Sequence, residues 1–221
     1  MAKKVAGLKG IALSGIGTNM GCFGSILPTL HNLNLLMEIA REIEKHVGIK
    51  LEYISGGGTS SLKLVEDRMI PDGINQLRIG EAILLGTDTT HDRVIPWLHQ
   101  DAFLLKAEVI EVKVKPSVPI GDIGYDSFGQ TPVFEDRGFR NRAIVSLGKQ
   151  DVNVDGLIPV EPGMQVMGAS SDHLLVDVTD AERAVSVGNH IAFKLNYSGL
   201  LFLSNSKYVK KHFINRNTME F

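Results

Sequence analysis

From Leu30 to Val47, the segment LHNLNLLMEIAREIEKHV places Leu33, Leu36, Met37, Ala40, Ile43 and Val47 at helical intervals. That spacing lays one apolar stripe along a helix. Gly48 follows it, a residue suited to the left-handed turn that closes a helix. Ahead of it, GIALSGIGT (10–18) reads as a short strand running into a glycine-punctuated loop. Behind it, IKLEYIS (49–55) reads as a strand, SLKLVEDRM (61–69) as a short helix and INQLRIG (74–80) as a further strand. Strand, loop and helix alternating over short connections predict parallel α/β structure, where ligands gather at the C-terminal ends of strands.

After about Trp97 the period shifts from helical to two-residue. AEVIEVKVKP (107–116) alternates Ile110, Val112 and Val114 with Glu111, Lys113 and Lys115, as a half-buried strand does. RAIVSLG (142–148), MQVMGASSDHLLVDV (164–178) and HIAFKLN (190–196) follow as strands, separated by turns rich in Gly, Pro, Asp and Asn. The chain is therefore expected in two parts: an α/β part over residues 1–98 and an all-β domain over 99–221. No fixed-period repeat runs through it.

With 221 residues, 43% hydrophobic and 22% charged, the chain can bury a sizeable core and is not of disordered composition. The net charge of −2, with no block of like charges, gives no footprint for nucleic acid or for an anionic membrane surface. No apolar run reaches signal-peptide or membrane-span length, and the single Cys22 excludes an internal disulfide. These features predict a cytoplasmic protein.

The stretch YISGGGTSSLKLVEDRMIPDGINQLRIGEAILLG (53–86) sets two clusters of small or hydroxylated residues around Arg78. Glycine lets backbone N–H groups approach an anion, and hydroxyls add donors, so the pair suggests a phosphate held by successive strand ends. Two ordinary loops, with Arg78 paired to Glu81 or Asp72, is the plainer alternative. GIGTNMG (15–21) fails the dinucleotide fingerprint, because Met20 stands where its third glycine belongs. His91 and His99 flank Trp97 with no H-E-x-x-H motif or cysteine pair, so no metal site is expected. A G-x-S-x-G elbow is missing and Cys22 sits in apolar GCFG, which leaves a nucleophile-based hydrolase unsupported.

In this order the segments resemble the alanine racemase superfamily, the fold-type III pyridoxal-phosphate (PLP) enzymes, and within it the ornithine racemase-like branch. The likeness covers about residues 8 to 212. LSGIGTN is similar to the strand whose T-H-F segment stacks a His on the cofactor ring, which implies Asn19 against the ring. SGGGTSS resembles the loop whose hydroxyl holds the phosphate, implying Thr59 with Ser60 beside it. LRIGEAILLG resembles R-P-G-I-x-L-Y-G, where the Arg faces the pyridine nitrogen and the following amides hold phosphate; this implies Arg78, Gly80 and Glu81. SSDHLLVDVTD (170–180) is similar to C-M-D-Q-L-M-V-D-V-T, implying Ser171 and Asp172 at the mouth that receives substrate. SNSKYVKK resembles a segment carrying a phosphate-binding Tyr, hence Tyr208. The implied fold is α/β plus all-β: a partial, about half, TIM-type β/α barrel followed by a β-domain. The implied activity is PLP-dependent racemisation of a basic amino acid such as ornithine, by α-proton exchange between two acid–base groups. A cationic Arg78 near the pyridine nitrogen would weaken the ring as an electron sink, which suits an enzyme that only moves a proton. In the family, the β-domain of one subunit completes the other's site, so a homodimer is implied.

The sequence departs from the pattern in two places. The family's cofactor lysine, at the end of the first barrel strand, has no counterpart. A complete eight-stranded barrel takes about 250 residues, and roughly 95 precede the β-domain here. A truncated gene product, a partial gene model and a split enzyme completed by an N-terminal half-barrel all remain open, as does a non-catalytic PLP- or phosphate-binding remnant. The family's second base is a Tyr in G-Y-A-D-G, where LGKQDV (147–152) offers Lys149. Its plainer role is a salt bridge, with Asp151 as the nearby partner in sequence. Tyr125 in IGYDSFG is the other candidate.

Overall fold

The structure, a computed structural model, describes residues 1–126 and 128–214. It divides into two compact units, Met1–Ala102 and the part from Phe103 onward.

In the first unit a short helix α1 (Ala2–Ala6) precedes strand β1 (Gly15–Gly17), helix α2 (Leu30–Val47) and strand β2 (Tyr53–Ser55). The α2 stripe buries Leu33, Leu36 and Ala40. Its ends are set locally. Thr29 Oγ1 accepts from Asn32 N at 3.2 Å while Asn32 Oδ1 accepts from Thr29 N at 2.8 Å, a reciprocal cap on two otherwise orphaned donors. Gly48 closes the helix in the left-handed conformation. β1 and β2 pair in parallel, Gly15 against Tyr53 through Gly17 against Ser55. The expected strand over 74–80 is reduced to one parallel bridge, Ser55 to Gln76. The expected helix over 61–69 is a 3-10 turn (Thr59–Ser61) running into α3 (Leu62–Glu66). Helix α4 (Glu81–Leu85) and the two-residue strands β3 (Thr87–Asp88) and β4 (Arg93–Val94) follow. Asp88 is fully buried; its Oδ2 accepts from Arg93 Nε at 3.2 Å and is paired with His91 Nδ1 at 2.9 Å. Arg93 also donates to Glu66 at 2.6 Å. His91 is thus part of a partly buried structural network around Asp88.

The second unit is one curved antiparallel sheet of six strands: β5 (Leu105–Pro116), β6 (Phe139–Val145), β7 (Leu157–Pro159), β8 (Gln165–Ala169), β9 (Leu174–Asp177) and β10 (His190–Leu195). Their order is β7-β10-β5-β6-β9-β8, and the two edge strands β7 and β8 approach one another, so the sheet nearly closes. The segment 164–178, expected as a single strand, is two strands folded back at residues 170–173. Val109, Val145, Leu174, Val176 and Phe193 are wholly buried inside the curl. Helix α5 (Tyr197–Asn205) adds Leu203 to that core. Among the described residues no helix is long and apolar enough to cross a membrane.

Candidate functional site

In the first unit, six of the residues singled out from sequence fall around the two small-residue turns. Parallel pairing brings the loop after β1 beside the loop after β2: Thr18 N donates to Ser55 O at 3.0 Å. The second turn docks on the first through Arg78 N, which donates to Gly57 O at 2.7 Å. The guanidinium of Arg78 then spans both loops, Nη1 donating to the Ser55 hydroxyl and Nη2 to Thr18 O at 2.8 Å. A side chain at Gly17 would lie 3.0 Å from Arg78 Nη1, and one at Gly58 would lie 3.1 Å from Arg78 O, so bare backbone lets the arginine in. Arg78 does not pair with Glu81 or Asp72. Both its partners are neutral acceptors, and no carboxylate meets it among the described residues. The guanidinium of this exposed residue is thus oriented by neutral acceptors.

Thr59 and Gly80 lie on facing turns. Thr59 Oγ1 accepts from Ala82 N at 3.3 Å, leaving its own proton to donate, and the space a side chain would fill at Gly80 is open to 4 Å. Ser60 Oγ donates to Met20 O at 3.1 Å. Asn19 is therefore held between a residue bonded to Arg78 and one bonded to Ser60, and it lines an open hollow of about 300 Å³ shared with Met20, Cys22 and Asn32. Arg78, Thr59, Gly80 and Glu81 do not line this hollow, and the Glu81 carboxylate is engaged elsewhere. Its Oε1 accepts from Thr87 Oγ1 at 2.8 Å, Thr89 N at 2.9 Å and Thr89 Oγ1 at 2.6 Å. Sequence reading passed over Ser55, which positions Arg78, and the Thr87–Thr89 anchor of Glu81. Ser55 closes the strand IKLEYIS, and its hydroxyl beside a glycine run was the available signal.

The second unit gathers another set. Lys149 N donates to Ser170 O at 3.0 Å and Gln150 N to Ser171 O at 3.1 Å, fixing the turn after β6 against the β8–β9 bend that carries Ser171 and Asp172. Gly148 is required there, because any side chain would collide with the Ser171 carbonyl. The Lys149 ammonium does not reach Asp151, which accepts instead from Ser206 Oγ at 3.0 Å. It lies 3.7 Å from the centroid of the Phe128 ring and 3.9 Å from Asp126 Oδ2. Main-chain donors at Gln130 and Phe128, then Lys149, hold the Asp126 carboxyl below its ordinary range. Tyr125, on the same loop, is largely exposed, as is Tyr208, whose N–H donates to Ser206 Oγ at 3.2 Å. No cluster of His, Cys, Asp and Glu that could hold a metal occurs among the described residues.

No family model matches the chain. Among solved structures, the alanine racemase of Clostridium difficile 630 in complex with cycloserine aligns with 91% of the chain and 54% of its own, at TM-score 0.57 and 16% identity. The Bartonella henselae alanine racemase with covalently bound pyridoxal phosphate aligns with 86% of the chain and 50% of its own, at TM-score 0.54 and 16% identity. At that identity the likeness defines the fold: the α/β-plus-β architecture of alanine racemases. In sequence the chain is 51% identical over 209 residues to the lysine racemase of Thermotoga maritima, and 41% identical over 212 residues to the ornithine racemase of Acetoanaerobium sticklandii. These matches take in 95% and 96% of this chain but 59% and 60% of the relatives, so it spans about three fifths of their length. The chain is similar in sequence to racemases named for lysine and ornithine, and in fold to alanine racemases.

Proposed function

We propose that this chain is the greater part of a PLP-dependent racemase acting on a basic amino acid, lysine or ornithine. The observation that carries the reading is the seating of Arg78 between two abutting strand-end turns, with no carboxylate partner among the described residues and with the open edge of Gly80 and the Thr59 hydroxyl beside it. Such a donor set fits a phosphorylated aromatic cofactor. Bound there, PLP would draw electrons from the substrate α-carbon and make its proton removable. Thr59, Ser60, Gly80 and the Glu81 main chain would hold the phosphate, and Asn19 would lie against the ring. The Arg78 guanidinium would disfavour a second positive charge on a ring nitrogen held beside it, which suits chemistry that only moves one proton. In the second unit, Lys149 is assigned the acid–base role, with Tyr125 as the alternative. Ser171 and Asp172 receive substrate, and the Asp172 carboxylate suits a cationic side chain.

The lysine that would carry the cofactor covalently is assigned to the two fifths of the relatives' length that this chain does not span. Within the first unit, Lys50 and Lys63 are engaged by Glu44 and Asp67. The working assembly is proposed to be a homodimer of the complete protein. Loaded with PLP, that protein is expected to show the absorbance of bound cofactor and to exchange solvent deuterium into the α-position of lysine or ornithine. An Arg78→Ala variant that changed neither property would overturn the reading. Cofactor absorbance with no exchange on any amino acid would instead favour a non-catalytic binder.

A further inference from the structure

Strands β5 and β6 are joined by a long connection, residues 117–138, and its tip makes two contacts with one residue of the candidate site. Asp126 organises that tip. Its Oδ1 accepts from Phe128 N and Gln130 N, each at 2.8 Å, its own N donates to Gln130 O at 2.7 Å, and Gly129 N returns to Asp126 O at 3.0 Å. A side chain that caps its own turn in this way is fixed before it meets anything else. One carboxylate oxygen is thereby committed to the turn. The other, Oδ2, is the atom 3.9 Å from the Lys149 ammonium.

Phe128 presents its ring face to the same ammonium, 3.7 Å from centroid to Nζ. A ring quadrupole attracts a cation placed over its face, and a nearby carboxylate adds charge attraction without needing hydrogen-bond geometry. The other end of Lys149 is equally constrained, since its backbone N–H and that of Gln150 are bonded to Ser170 O and Ser171 O. The side chain is therefore fixed at its root by the β8–β9 bend and at its tip by the long loop. A lysine has four rotatable side-chain bonds and gives up entropy to be held this way, so two independent attachments are what keep the ammonium in one place.

We propose that Asp126 and Phe128 are positioning residues, forming a seat that holds the Lys149 ammonium beside the Ser171–Asp172 bend. The proposal rests on the reading of Lys149 as the acid–base group, and gives the β5–β6 loop a task in that site. A proton donor must present its charge at one place when substrate arrives, and an unrestrained lysine would sample many.

The test uses the 221-residue chain without cofactor. Its lysines are reductively methylated with carbon-13, and the Lys149 signal is assigned by its loss in Lys149→Arg. In the unaltered chain the signal is expected upfield of the free-lysine position, because the methyl groups sit over an aromatic ring. That shift should vanish in Phe128→Leu and persist in Phe128→Tyr, which keeps the ring face. Acylation of unmethylated Lys149, followed by peptide mass spectrometry, should run about two- to fivefold faster in Asp126→Asn and Phe128→Leu, with other lysines unchanged, as the modest strength of exposed charge and cation–ring contacts implies. Asparagine retains the Oδ1 that caps the turn, so that variant keeps the loop. An unshifted signal together with equal labelling in every variant would overturn the seat and leave the racemase reading standing. A seated Lys149 in a complete protein that exchanges no α-deuterium would uphold the seat and remove that reading.

Discussion

Arg78 and Arg93 belong to one unit and illustrate how the acceptor decides what a guanidinium does. Arg93 meets two carboxylates, Asp88 and Glu66. The hydrogen bond to Arg93 comes first in holding the Glu66 carboxyl below its ordinary range against the opposing effect of burial. Its charge is consumed in the fold. Arg78 meets a hydroxyl and a carbonyl, which orient it without neutralising it. An oriented, uncancelled cation can recruit an anion from solution. Ser55 is the key to that difference, since it is 3% exposed and its hydroxyl accepts from Arg78 Nη1. Ser55→Ala should leave the helices intact and loosen Arg78. With a hydrogen bond contributing about 1 kcal/mol, the affinity for PLP is expected to fall roughly fivefold, read by fluorescence titration. An unchanged affinity would show that Ser55 does not hold the arginine for ligand.

Among the elements, α2 is specified by its own residues from end to end, and it is long because its apolar stripe is uninterrupted. Thr29→Ala removes one half of its reciprocal cap, and an N-cap change of this kind costs about 1 kcal/mol. The expected outcome is a lower urea midpoint for the first unit with an unchanged midpoint for the second, followed by hydrogen exchange at buried α2 and β-sheet amides. The parallel strands of the first unit contrast with it. β1 and β2 are three residues each, too short to display a period, and the third strand is a single bridge at Gln76. The β-domain strands are longer, and one-sided burial imposes the alternation that made β10 readable; in β5 the buried side chains are instead Leu105, Ala107 and Val109, and Ile110 and Val114 of the expected apolar face are exposed, the register shifting at Val109–Glu111. The bend at 170–173 was not readable as an interruption. SSDH carries no glycine or proline there, and the reversal is stabilised by Ser170 N donating to His173 O at 2.9 Å and by the Ser170 hydroxyl accepting from His173 N at 3.1 Å.

At the scale of the whole molecule, acid should act on paired carboxylates in both units: Glu66 in the first, and Glu111 and Asp177 in the second. Lys113 and then Lys115 draw the Glu111 carboxyl down from 4.5 to about 2. Burial pushes Asp177 up, but Arg140 and Thr179 outweigh it, and the carboxyl lies below its ordinary 3.8. A group whose folded pKa is below its unfolded one binds fewer protons when folded. Its stabilisation is complete above the unfolded value and is lost as pH falls through the folded one. Melting temperature should therefore hold near neutrality and decline between pH 4.5 and about 2, the window that Glu111 sets. Asp177→Asn should flatten part of that decline while lowering stability at pH 7. A melting temperature independent of pH through this window would show that the pairs do not contribute.

What the sequence determined by itself are the features written in neighbouring residues: the helical stripe and caps of α2, the two-residue alternation of the long strands, and the small-residue turns at 55–61 and 78–80. Local backbone preference and one-sided burial act over a few residues, so a linear reading captures them. The tertiary structure alone decided which distant atoms meet: Ser55 with Arg78, Glu81 with Thr89, and Asp126 and Phe128 with Lys149. Those contacts depend on how β1 pairs with β2, how the β8–β9 bend folds back on the turn after β6, and where a long loop comes to rest. Charge and hydrogen bonding fall off within a few ångströms and are indifferent to separation along the chain, so only the folded arrangement assigns each ionic group its partner.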